Sequence, residues 1–249
     1  MFEKFTIDIQ TNLFEQLANS CEFEDVVIGR KGANLVDCSN DLVPIVRTTT
    51  KYNNPVQRFS PIHYDMVDAI RTITNRNDLS FNSALIEIYN KEYRTMGFHS
   101  DQALDLADGS YICVFSCYEN PTDVSGVRKL KIRNKITSED SEIVLSHNLV
   151  VLFSMETNNE NTHKIHLEGN PSTDNRWLGI TFRLSKTFIK FINEIPYFYP
   201  QMDKVLRLAN DGETREFYKL RGGENSNIGF DYPEIYYSIC ASDLLPTLN

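Results

Sequence analysis

The 249-residue chain has no C-x-x-C pair, and its five cysteines (Cys21, Cys38, Cys113, Cys117 and Cys240) are odd in number and scattered. That excludes a disulfide framework and a zinc-ribbon spacing, so reduced, buried thiols are expected. Positive charge is not in excess: 25 Lys and Arg stand against 34 Asp and Glu, a net charge of −9 with no basic arm or acidic tail. Contact with a polyanion would therefore need a local patch. No apolar run is long enough to span a bilayer; the strongest, from Ile143 to Phe153, is interrupted by Ser146, His147 and Asn148. The opening MFEKFTIDIQ lacks a basic segment followed by an apolar one, so no secretory signal is expected. A soluble intracellular protein of cytoplasm or nucleus is the expectation. With 11 Gly and 9 Pro the chain is neither collagen-like nor of low complexity. What it does have, 41% hydrophobic residues over this length, suffices to bury a core.

There is no internal repeat, so the organisation shows as changes of hydrophobic period. Residues 11–20 and 60–75 read as helices. In the second, Ser60-Pro61 opens the first turn, and Ile62, Met66, Val67, Ile70 and Ile73 recur at helical spacing. The stretch 21–58 reads as irregular, ending in the basic and aromatic run from Arg47 to Phe59. From about residue 80 the period is two, which predicts strands at 83–90, 110–117, 127–134, 142–153, 162–167 and 177–183. Segments 185–194 and 201–210 return to a helical period, and 211–249 yields no assignment. Short strands joined by turns, with no helices between them, predict a mainly β fold with flanking helices (α+β), built as an antiparallel sandwich or barrel. No linker is evident, so a single domain over 1–249 is expected. Its parts are a helical and lid-like region at 1–79, the strand core at 80–184 and a helical extension at 185–249.

Five histidines limit the chemistry: His63, His99, His147, His163 and His166. His63 reads as a packing or capping residue and His147 as a turn residue. His99 and Asp101 lie two apart, which on extended chain sends both to one face. A later strand offers His163 or His166; three apart, they point to opposite faces, and the alternation favours His163. Two histidines and one carboxylate on one face, with open coordination positions, is the ligand set of non-haem Fe(II) oxygenases. Arg176 and Arg183 follow, able to grip a carboxylate co-substrate.

These residues resemble a family. FNSALIEIYNKEYRTMGFHSDQA looks like the first half of the AlkB-type Fe(II)/2-oxoglutarate oxygenases, in which a strand leads into H-x-D. VLSHNLVVLFSMETNNENTHKI is similar to the stretch before the family's distal histidine. RWLGITFR resembles its closing arginine strand, and VPIVRTTTKYNNPVQRF its substrate lid. The likeness covers roughly residues 43–185. It implies a double-stranded β-helix, or jelly roll, with His99, Asp101 and His163 as iron ligands and Tyr89, Arg176 and Arg183 contacting 2-oxoglutarate. The activity implied is hydroxylation of a C–H bond with O2. On an N-methyl group the product would collapse to formaldehyde and a demethylated nitrogen.

Three positions depart from the family pattern. Glu87 stands where Asn is usual two residues before Tyr89, so it is either turned away or marks a different pocket. Arg176 and Arg183 are seven apart rather than six, and an odd separation flips one to the other face unless a bulge absorbs it, Gly179 being the candidate. Ala103 replaces an acidic residue that reads the base in dealkylating members. The substrate expectation is single-stranded or damaged nucleic acid, met by Arg47, Tyr52 and Arg58 of the lid-like run and by Lys129, Lys131 and Arg133 on one strand face. Two alternatives stand beside it. One is the same chemistry on a protein side chain or small molecule; the other is a jelly-roll binding protein with a degenerate site.

Overall fold

The computed structural model describes residues 1–9 and 11–248; Gln10 and Asn249, the last residue of the C-terminal extension, lie outside the described residues. The chain begins with strand β1 (Glu3–Thr6) and the short helix α1 (Phe14–Ala18). Strands β2 (Glu24–Val27), β3 (Arg30–Val36), β4 (Leu42–Pro44) and β5 (Gln57–Arg58) precede helix α2 (Pro61–Thr74). Pro61 sits in the first turn of α2, where its missing N–H costs nothing, and the Ser60 N–H donates to His63 Nδ1 (2.9 Å). Next come β6 (Ser83–Tyr89), β7 (Tyr111–Tyr118), β8 (Val127–Asn134), β9 (Asp140–Val144), β10 (Leu149–Ser154), helix α3 (Met155–Glu160), β11 (Asn161–Glu168) and β12 (Trp177–Arg183). The C-terminal region forms β13 (Phe188–Ile192), β14 (Ile195–Tyr199), β15 (Arg207–Leu208), helix α4 (Asp211–Ser226) and β16 (Tyr237–Ser238).

An eight-stranded sheet runs β1-β10-β7-β12-β6-β3-β2, with β5 pairing alongside β3, and a second sheet of three strands runs β11-β8-β9. The large sheet uses the period-two alternation to bury both faces. One set of residues (Ala84, Ile86, Phe115, Leu178, Ile180, Phe182) packs on Phe14 and Leu17 of α1 and on Met66, Val67 and Ile70 of α2. The other set (Tyr89, Ile112, Val114, Trp177) meets Leu130, Ile132 and Ile165 of the small sheet. Two antiparallel sheets facing each other across one core, with helices outside, form the expected jelly roll. Cys113 and Cys117 share the helix-facing side and are fully buried there. No helix is long and apolar enough to cross a membrane among the described residues.

Several elements differ from the sequence expectation, each for a local reason. The N-terminal helix has five residues rather than ten. The stretch 21–58, expected irregular, supplies β2 to β5, and Gly29 at φ +76° makes the turn between β2 and β3. The single strand expected at 142–153 is broken by a turn holding Asn148 at φ 58°, where the chain passes from the small sheet (β9) to the large one (β10). Residues 185–194 form a strand, not a helix. The five-residue β13 pairs with β14 across Asn193-Glu194, both at positive φ (49° and 66°), the geometry a two-residue hairpin turn requires. Residues 201–210 also avoid helix: Leu206 N donates to Pro196 O (2.9 Å), so the segment lies strand-like against β14. The C-terminal helix instead lies at α4, capped where Asn210 accepts from Glu213 N (3.0 Å) and Glu213 accepts from Asn210 N (2.9 Å).

Candidate metal centre

A cavity of about 410 Å³ opens between the two sheets. Leu85 and Glu87 of β6, Val114 of β7, Thr181 and Arg183 of β12, and Leu130 and Ile165 of the small sheet line it. At its rim His99 and His163 exchange backbone hydrogen bonds (His99 N to His163 O, 2.9 Å; His163 N to His99 O, 2.6 Å). This bridge extends the small sheet by one residue pair and fixes the two imidazoles side by side, 4.8 Å between ring centroids. His163 faces the cavity, while His166, three residues on, is turned outward.

His99, Asp101 and His163 bring one ligand atom each to within 4.8 Å of one another, the one such cluster of three among the described residues. Asp101 Oδ1 lies 3.8 Å from His99 Nε2 and 3.7 Å from His163 Nε2, too far for a hydrogen bond in either case. Two of the three remaining atoms of the triad are committed elsewhere. Asp101 Oδ2 accepts from Arg183 Nε (2.8 Å), and His99 Nδ1 pairs with Gly97 O (3.0 Å), the tautomer that leaves a lone pair on Nε2. His163 Nδ1 is buried with no hydrogen-bond partner among the described residues. Burial alone would raise the Asp101 carboxyl, but the Arg183 guanidinium, ahead of the two imidazoles, holds it far below the usual carboxylate range. Burial, then His163 and Arg221, push His99 down to about 3, and burial also lowers His163. At neutral pH the triad is thus one carboxylate and two neutral imidazoles, the protonation state a divalent ion needs. The donor set fits a metal ion of the Fe(II) type.

The loop carrying His99 and Asp101 is clamped from two sides. Asn158 of α3 accepts from Asp101 N and donates to Asp101 O, both at 2.8 Å. Helix α4, in the extension that the sequence left unassigned, grips the other side. Asn225 accepts from Ser100 N (2.9 Å), Arg221 donates to Ser100 O (2.5 Å), and Glu224 accepts from Ala103 N (2.8 Å). Arg221 and Asn225 also line the cavity. Only the capping pair Asn210 and Glu213 signalled α4 in the sequence. With Phe217 its sole buried apolar side chain, it shows no hydrophobic stripe.

Other residues singled out in the sequence fall elsewhere. Arg176 lies outside the cavity, ion-paired with Glu119 (2.6 Å) and packed over the Phe14 ring on the helical side of the sheet. Strand β12 keeps unbroken register with β6 and β7 from Trp177 to Phe182, so no bulge rescues the odd spacing. Gly179 instead makes room for the Trp177 ring, which would sit 2.1 Å from a Cβ there. Tyr89 is fully buried beside the cavity and donates to Glu87 Oε2 (2.6 Å). Glu87 is not turned away: it lines the cavity and pairs with Arg30. Arg47 is no surface lid residue but forms a buried bidentate pair with Asp105. Tyr52 is buried over Gly32, its hydroxyl 3.5 Å from Glu87. Arg58 is exposed on β5, away from the cavity lining. Thr48 to Thr50 of the lid-like run line the cavity, as do Gln102 beside the triad and Arg30, which no sequence pattern announced.

No family model matches the chain, and no curated protein matches its sequence. Among solved structures the chain is similar to OsALKBH1, with a TM-score of 0.46 and 14% identity over 68% of this chain and 87% of that one.

Proposed function

We propose that the protein is an Fe(II)- and 2-oxo-acid-dependent oxygenase that hydroxylates a C–H bond of a substrate held at the cavity mouth. The observation that carries this reading is the convergence of His99 Nε2, Asp101 Oδ1 and His163 Nε2 on one point, with Asp101 Oδ2 and His99 Nδ1 engaged elsewhere. Fe(II) bound there would activate O2, with a 2-oxo acid such as 2-oxoglutarate supplying two electrons and leaving as CO2 and the shortened carboxylic acid. Arg183 keeps Asp101 ionised and oriented, and the bridge between His99 and His163 holds the imidazoles in place. Leu85, Val114, Leu130 and Ile165 form apolar walls that limit water around the centre.

For the substrate, we favour a planar, anionic molecule such as an N-methylated base in single-stranded nucleic acid. Phe98 lines the mouth next to His99, with Arg133 and Lys164 packed on its ring at 4.5 and 4.6 Å. Lys164 pairs in register with Lys131 on the same outer face, and neither forms an ion pair with a carboxylate among the described residues. Like charges directly opposite repel, and a bound phosphate would relieve that repulsion. The rest of the basic stripe is less available. Lys129 is neutralised by Glu142 and Glu168, and Arg133 by Asp140.

The test compares wild type with His99→Ala and His163→Ala. Anaerobic Fe(II) binding should be stoichiometric in wild type and lost in both variants, and succinate release from 2-oxoglutarate under air should follow it. Metal binding indifferent to both substitutions would overturn the oxygenase reading in favour of a binding protein. Methylated oligonucleotides, peptides and small amines added in turn identify the class that raises turnover.

A further inference from the structure

We propose that Arg30 of β3 is the residue that takes the remote carboxylate of a 2-oxo dicarboxylic acid in this cavity, with Glu87 as its positioning partner. The inference rests on the oxygenase reading above. Three guanidinium groups line the cavity. Arg183 is committed to Asp101 through Nε. Arg221 donates to the Ser100 carbonyl and lies 3.6 Å from Glu224. Arg30 turns one side to Glu87, with Nε and Nη2 at 2.6 and 2.5 Å from Oε1. Beyond Glu87, Arg30 meets two tyrosine hydroxyls, that of Tyr93 at 3.4 Å from Nη1 and that of Tyr52, and no second carboxylate among the described residues. A guanidinium carries five N–H donors in one plane, so a pair along its Nε side leaves its terminal edge free for a second carboxylate.

Glu87 looks at first like an obstacle to an anionic ligand, but its oxygens are already engaged. Oε1 takes Arg30, with the Tyr52 hydroxyl at 3.5 Å, and Oε2 accepts from Tyr89 (2.6 Å). An incoming carboxylate therefore meets the donors of Arg30 rather than bare lone pairs of Glu87. The same contacts hold the guanidinium in one orientation, since Arg30 packs on the Tyr89 and Tyr93 rings at 5.9 and 5.6 Å. Chain topology brings Arg30 here: β3 pairs with β6 so that Arg30 lies opposite Tyr89 and Gly32 opposite Glu87. Arg176 cannot serve, because the odd spacing puts it on the helical face, and Trp177 occupies the inward position next to it.

The experiment uses the full chain loaded anaerobically with Co(II). Calorimetric titration compares 2-oxoglutarate with 2-oxopentanoate, which has the same length without the second carboxylate. The variants are Arg30→Gln/Glu87→Gln, which removes both charges together and leaves no buried ion unpaired, and Arg176→Gln. Wild type should prefer the dicarboxylate by about tenfold or more, the double variant should lose that preference while still binding Co(II) and 2-oxopentanoate, and Arg176→Gln should match wild type. Wild-type discrimination retained in the double variant, lost in Arg176→Gln or absent from wild type would overturn the assignment of Arg30. Co(II) binding through the triad with no response to either 2-oxo acid would overturn the oxygenase reading itself.

Discussion

Replacing Arg47 by Met is the sharpest test of how the lid-like segment is used. Arg47 is 4% exposed and its partner Asp105 is fully buried. The guanidinium donates from Nε (3.0 Å) and Nη2 (2.7 Å) to the two oxygens of Asp105, and from Nη1 to the carbonyls of Ile235 (2.6 Å) and Tyr237 (3.3 Å). One side chain thus joins the segment after β4, the turn beyond the loop that carries His99 and Asp101, and the C-terminal tail. Met keeps the stem volume but leaves a buried carboxylate with the Arg47 backbone N–H as its main donor. Breaking a buried pair by removing one partner costs about 3–5 kcal/mol, a large part of a total stability of about 5–15 kcal/mol. For a chain of this size that is a fall in Tm of about 6–20 °C. Urea and thermal unfolding of Arg47→Met, Asp105→Leu and the double variant form a mutant cycle. The double variant should be more stable than Arg47→Met, because it no longer buries a lone charge. A loss below about 1 kcal/mol in Arg47→Met, together with weakened oligonucleotide binding, would refute this account and return Arg47 to the surface lid.

Two further outcomes follow from the same geometry. Asn225→Ala removes the acceptor that holds Ser100 N between two of the triad residues; Co(II) affinity should fall by about 10–100-fold with little change in melting, and an unchanged affinity would refute the clamp. His63, lowered to about 4 by burial, is neutral when folded but titrates near 6.5 when unfolded. The unfolded chain therefore takes up the proton first, and stability of about 3 kcal/mol is lost as pH falls from 6.5 to 4. His63→Asn should flatten that limb in unfolding titrations, and an unaltered acid limb would assign it to other groups.

Much of the core was legible because alternation states which way a side chain faces. The strands at 83–90, 110–117, 127–134 and 177–183 lie within a residue of their expected bounds, since each buries one or both faces and repeats every two residues. Alternation also separated His163 from His166, and the seven-residue spacing of Arg176 and Arg183 already held the parity that places them on opposite faces. The hairpin of β13 and β14 was hidden, because five residues with two phenylalanines satisfy a helical spacing as well as a strand. Helix α4 was hidden because it is held by caps and polar contacts to the loop that carries His99 and Asp101 rather than by an apolar stripe.

The sequence by itself determined a mainly β, antiparallel class, the facing of the core strands and the candidate triad, all properties of local period and residue type, while the jelly roll in particular was implied by the family resemblance. Only the tertiary structure decided which charges are neutralised. Arg47 meets Asp105 58 residues away, Arg30 meets Glu87 57 away, and Arg221 reaches Ser100 across 121. An ion pair leaves no local pattern, because its partner is chosen by how strands register and loops close, and only the folded chain sets those.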